Sequence, residues 1–154
     1  MKLYLIFLLT LCSLSVKAQL FEDKYKRHIT PDTCLYCGDQ PAHYEKKLFD
    51  FFQWKMEHAG HGYNFRGGNM FFEVYIDSVG HPFVLSIRNR YMDYYLQDDI
   101  RRWINDDMPG WIPAMKNNHP INSTVIIAFE MRTNWLDIYY TTPDKAEKYK
   151  PKGK

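Results

Sequence analysis

Apolar and polar residues alternate with a period of two in three separate stretches, and these flank one segment of helical periodicity. Met70, Phe72, Val74 and Ile76 fall on one side of an extended run whose other side is Phe71, Glu73, Tyr75 and Asp77. The alternation predicts a strand with one face against a core. Phe83, Leu85 and Ile87 repeat the pattern, as do Val125, Ile127, Phe129 and Met131. Between the first two runs, Asp77-Ser78-Val79-Gly80 suits a type I turn closed by a glycine, which enters positive φ without steric cost, so a tight hairpin is expected. Leu96, Ile100, Trp103 and Ile104 lie at i, i+4, i+7 and i+8, a stripe that predicts a helix covering the sheet. Asp93 is its expected N-cap, Asp98 can pair with Arg101 or Arg102, and Pro109-Gly110 should end it.

A second amphipathic helix is expected over Ala42 to Glu57, with Pro41 near its first turn. Tyr44, Leu48, Phe51, Phe52 and Met56 form its apolar stripe, and Glu45, Lys46, Lys47, Asp50 and Lys55 its wet side. His61 to Gly68 reads as a loop by composition. Near the end, the period of two returns in Trp135 to Tyr140, where Leu136, Ile138 and Tyr140 alternate with Trp135, Asp137 and Tyr139; this predicts a fourth strand paired with Val125 to Met131. The fold class is therefore α+β: an N-terminal amphipathic helix, then a ββαβ unit whose small antiparallel sheet of about three or four strands packs on the helices.

Length and charge add the organisation. A chain of 154 residues suggests one domain with a processed end. Lys2, the apolar run Leu3 to Val16 and the small residue Ala18 before Gln19 read as a secretory signal peptide over residues 1–18. A retained anchor is the alternative, although the run is shorter than the about 20 residues a spanning helix needs. Residues 19–41 form an N-terminal segment, 42–141 the α+β domain, and 142–154 a basic tail expected to be disordered. Without Lys2 and Lys17 the chain would carry 18 basic and 18 acidic residues, so nothing calls for nucleic acid. The expected location is periplasmic or secreted.

Candidate chemistry centres on Cys34 and Cys37, spaced C-x-x-C. In an oxidising compartment they predict a small-ring disulfide. A redox pair is a second reading, and a metal site completed from His43, His58 and His61 a third. No catalytic constellation is legible, so no enzyme, cofactor, bound metal or small-molecule substrate is expected. Asp98-Asp99 and Asp106-Asp107 read as a solvated helix face, and Ser78, Ser86 and Ser123 lack a nucleophile elbow.

Taken in order, Val74 to Gly80, Arg101 to Trp103, Trp111 to Ala114, Asn117 to Ile121 and Val125 to Met131 resemble the C-terminal domain of TonB-type energy transducers. The likeness covers about 60 residues and rests on the ordered set, with Gly80, Trp103, Trp111 and Pro113 as its structural residues. It implies a binding module that takes an extended peptide from an outer-membrane transporter, another envelope protein or a second copy of itself, by strand addition. By that resemblance the accepting edge is Thr124, Val125, Ile126, Ile127, Ala128, Phe129 and Glu130. Trp135 to Tyr140 could itself cap that edge, which the sequence leaves open. The second reading is a secreted accessory or structural protein of the same fold, stapled or made redox- or metal-active at Cys34 and Cys37.

Overall fold

The longest strand among the described residues, β8 (Ser123–Arg132), has neighbours on both sides, and the other elements are arranged around it. The computed structural model describes residues 34–60, 62–63, 67–89, 93–132 and 135–147. One margin of β8 pairs antiparallel with β3 (Gly68–Ile76), which pairs in turn with β4 (Pro82–Asn89). The other margin is shared by β1 (Cys34–Leu35), parallel at Ser123 and Thr124, and β9 (Trp135–Thr141), antiparallel from Ile126 to Arg132. These five strands make one sheet. Two smaller ladders join β2 (His43–Tyr44) to β5 (Trp111–Ile112) and β6 (Ala114–Lys116) to β7 (His119–Ile121). Helix and sheet are thus mixed as the α+β expectation has it.

Two helices, α1 (Leu48–Glu57) and α2 (Tyr94–Asp106), bury their apolar stripes in the main core. Phe52 of α1 packs edge-on against Phe129 at 4.9 Å, and Phe129 meets Phe72 at 5.3 Å, so one aromatic run ties α1, β8 and β3 together. Each such pair adds about 0.5–1.5 kcal/mol beyond its buried area. From α2 come Leu96, Ile100, Trp103 and Ile104, all buried as their spacing predicts. Asp93 caps the helix, accepting from the Leu96 N–H at 3.0 Å.

Four expectations need correction. The first helix starts at Leu48, not Ala42, because the backbone before it is committed elsewhere: Tyr44 N–H donates to the Tyr140 hydroxyl at 2.7 Å and Glu45 N–H to the Gly110 carbonyl at 3.0 Å. Residues Cys34 to Pro41, expected to precede the domain, belong to it; Gln40 bridges Met115, and the compact unit begins at Cys34. The tail from residue 142 is not disordered throughout, since α3 (Pro143–Glu147) lays the buried Ala146 on the sheet face opposite α1 and α2, beside Phe71, Ile126 and Ala128. That second face is covered as well, with Phe71 and Tyr75 of β3 buried rather than facing water. Residues 1–18, the expected leader, and the last lysines fall outside the described residues.

The hairpin turn shows why Gly80 is a glycine. It has φ of 88°, and a Cβ there would collide with the Trp111 carbonyl oxygen and stand 3.9 Å from Pro113 Cδ. The turn, closed by Gly80 N–H on the Asp77 carbonyl at 3.0 Å, is therefore pressed onto the W-I-P-A segment, and Ser78 N–H reaches Asn122 Oδ1 at 2.9 Å. Gly80→Ala should destabilise the protein by about 2 kcal/mol or more, the left-handed backbone alone costing about 1–2 kcal/mol for a residue with a Cβ. The check is the urea midpoint of the variant, which falls while the slope stays unchanged.

Candidate functional site

The resemblance points to β8 as the peptide-accepting edge, and the pairing of β8 decides what that edge can do. In an antiparallel ladder successive residues turn their backbone groups to opposite margins. Val125, Ile127 and Phe129 face β3, opposite Val74, Phe72 and Met70. Thr124, Ile126, Ala128 and Glu130 face the other margin, where β9 sets Thr141, Tyr139 and Asp137 opposite the last three. The remaining stretch, Ser123 to Ile126, is closed by residues 34–36. Cys34 and Leu35 pair with Ser123 and Thr124, Tyr36 N–H donates to the Thr124 carbonyl at 2.9 Å, and Ile126 N–H donates to the Tyr36 hydroxyl at 3.0 Å. The same hydroxyl donates to the Thr141 carbonyl, so it stands as a bridge in the last rung between β8 and β9. The predicted accepting edge, Thr124 to Glu130, is consequently an interior strand with no open margin while β1 and β9 are in place.

A signal for this is present in the sequence. Val125 to Phe129 is an unbroken apolar run, which fits a strand buried on both faces better than one that alternates core with water. The segment that closes β8 is not legible there, since two-residue strands have no periodicity.

Besides the two-residue β1, the sheet has two longer outer strands. On β4 the margin is blunted. A bulge shifts the register between Glu73 and Val74, and Asn105 of α2 accepts the outward Val84 N–H at 2.9 Å through Oδ1. On β9 the cover is slighter. Ile138 N–H turns away from β8 to the carboxylate of its own neighbour Asp137 at 2.9 Å, so Leu136, Ile138 and Tyr140 present their backbone outward. Among the described residues β8 is the sole strand partner of β9. At the start of β9, the exposed Trp135 ring lies under the Arg132 guanidinium at 5.4 Å.

The cysteine pair sits at the start of β1 and just past the strand, not at a helix N-terminus, which is where a thioredoxin-like thiolate would find its stabilising dipole. Cys37 is disulfide-bonded. The side chain of Cys34, its expected partner, is outside what is described. Between them Tyr36 holds a φ of 53°, in the left-handed region that costs a side-chain-bearing residue about 1–2 kcal/mol. Two hydroxyls border the same seam, those of Ser123 and Thr141, both buried and without a hydrogen-bond partner among the described residues. Gly38, at φ of 101°, then lets the chain run against the Met115 carbonyl, where a Cβ would find no room.

Other predicted chemistry resolves into packing. Among the described residues no group of three metal-ligand side chains converges. His43 Nδ1 lies 3.2 Å from the Pro41 carbonyl, and His58 stacks on Trp54 at 4.6 Å, while His61 is outside the described residues. Asp98 pairs with Arg101 at 3.1 Å on the surface as expected. Asp99 does not share that solvated face. It is buried, taking 2.6 Å hydrogen bonds from the Tyr63 hydroxyl and from Arg102.

Comparison with known proteins returns nothing to weigh against this geometry: no family model matches the chain, and neither do any curated protein or solved structure.

Buried tyrosines at the β9 side of the core contribute to the alkaline limit. Burial pushes the Tyr140 hydroxyl up from its ordinary value near 10 to about 12, against the opposing effect of the Tyr44 N–H bond. Burial likewise raises Tyr36, although the Ile126 and Thr141 backbone contacts pull it down in part. Because the folded values lie above the unfolded one, this stabilisation is complete below pH about 10 and is lost as pH rises through about 12. Denaturant midpoints should therefore hold steady to about pH 9.5 and fall steeply beyond about pH 10.5, and Tyr140→Phe should make that alkaline fall shallower while lowering the midpoint at neutral pH.

Proposed function

We propose that the chain is a protein-binding module resembling the TonB C-terminal domain, located in the periplasm or secreted. It takes an extended peptide of an envelope partner, such as an outer-membrane transporter, by strand addition along the outer margin of β9. The observation that carries this reading is the outward turn of Leu136, Ile138 and Tyr140, served within the described residues by only one side-chain contact, that of Asp137 to Ile138. An incoming strand would exchange that contact for a regular ladder, main-chain bonds supplying affinity and alternate side chains selectivity. The disulfide at Cys37 supports an oxidising compartment. The reading requires no catalytic step and no cofactor.

A second reading, an accessory or structural protein of the same fold, is favoured by the closure of β8 on both margins and by the staple at Cys37. Peptide titration separates the two. Transporter N-terminal peptides added to isotope-labelled protein should shift the amides of Leu136, Ile138 and Tyr140 and leave Val125 and Ile127 in place. Alternate N-methylation of the peptide should abolish binding in one register and spare it in the other, because only one set of its N–H groups faces β9. Each lost main-chain bond should weaken binding by about 0.5–1.5 kcal/mol. Absence of any shift on β9 would favour the structural reading.

A further inference from the structure

The cover over the first half of β8 differs in kind from the cover over its second half. β9 is a seven-residue strand in continuous register. The cover over Ser123 to Ile126 is two residues of β1, one N–H and one tyrosine hydroxyl, and the tyrosine is held in the left-handed region. Close by, the hydroxyls of Ser123 and Thr141 are buried and unpartnered among the described residues. Leu35 and Tyr36 pack against the two clusters and the chain beyond them pairs with Met115, yet a strand of two residues, with a tyrosine in the left-handed region and two orphaned hydroxyls beside it, has no extended ladder of its own. A further constraint is covalent, the disulfide at Cys37, one residue beyond Tyr36. The C-x-x-C spacing makes Cys34 the expected partner, and the proposal below takes it as such, with Leu35 and Tyr36 inside the ring. Cys37 is half-buried and is followed by exposed Gly38, Asp39 and Gln40, so a reductant approaching from solvent has access to it.

We infer that residues 34–37 are a redox-controlled strap: with the disulfide formed, Tyr36 closes the margin of β8 at Thr124 and Ile126, and reduction releases the strap and opens that margin. The reductant is a dithiol. Its thiolate attacks one sulfur of the disulfide, and its second thiol resolves the mixed disulfide. Two electrons and two protons pass to the cysteines, leaving two protein thiols and the donor as its own disulfide. Freed from the ring, Tyr36 can leave the left-handed region, and its hydroxyl leaves Ile126 N–H and the Thr141 carbonyl. The backbone groups of Thr124 and Ile126 are then exposed, a short margin that an extended segment can occupy, continuous with the end of β9. The proposal concerns β8 and stands whether or not β9 takes a peptide.

Amide hydrogen exchange tests it in the whole protein. The reporter is Ile126, whose N–H is held by Tyr36; Val125 and Ile127, which face β3, report on the integrity of the sheet. With dithiothreitol, Ile126 exchange should accelerate by about 100-fold while Val125 and Ile127 stay protected, the behaviour of a local opening. The double variant Cys34→Ser/Cys37→Ser should show the fast exchange without reductant and no further response to it. Tyr36→Phe, with the disulfide intact, should accelerate Ile126 alone. Unchanged Ile126 protection after reduction, confirmed by a mass gain of two hydrogens, overturns the inference. So does loss of protection at Ile126, Val125 and Ile127 together, which would make the disulfide a staple of the whole fold.

Discussion

Backbone hydrogen bonding on both margins of β8 constrains everything else in the molecule. A strand buried on both faces cannot rely on water for its N–H and C=O groups, so each needs a partner from the chain. β3 supplies one margin over its full length. The other is assembled from pieces far apart in sequence: β9, which follows directly, and residues 34–36, about 90 residues earlier, with Tyr36 Oη bridging the last rung of β8 and β9 between Ile126 and Thr141. The aromatic contacts of Phe52, Phe72 and Phe129 then fix the helices on the sheet this pairing has built.

The same requirement accounts for the course of the N-terminal strap. From β1 the chain turns at Gly38 onto the Met115 carbonyl, bridges Gln40 to Met115, and reaches β5 at His43 and Tyr44 before the first helix begins. Three short pairings thus stitch one segment across β8, β6 and β5. The Gly80 turn presses on Trp111 from the hairpin side, so the W-I-P-A segment is held between two parts of the chain that precede it. These contacts give Gly80, Trp111 and Pro113 structural work that needs no ligand.

Much of this is legible in the residues and some is not, for reasons that differ. The α2 stripe, its Asp93 cap, the Gly80 turn and the final strand can be read because each is a local pattern repeated over several residues. Tyr44 sits on the predicted helical stripe and does join the core, yet in a strand, because the Tyr140 hydroxyl and β5 override helix propensity for its backbone. Asp99 reads as solvated beside Asp98, yet it is a buried acceptor that takes a bond from the distant Tyr63 as well as from Arg102. β9, which closes β8 from Ile126 onward, is legible as a strand, but closure of the first part of β8 turns on partners of two residues and one side chain. Such contacts leave no periodic trace, although the unbroken run Val125 to Phe129 already points that way.

The unequal treatment of the two longer outer strands has a consequence for how copies could associate. β4 is interrupted by its bulge and has Val84 tied to Asn105, whereas β9 is regular. A sheet with one growing side can join a like sheet only back to back about a two-fold axis, and the union uses up both growing sides. Self-association through the backbone therefore terminates at a pair, and the fold has a built-in stop against fibre growth.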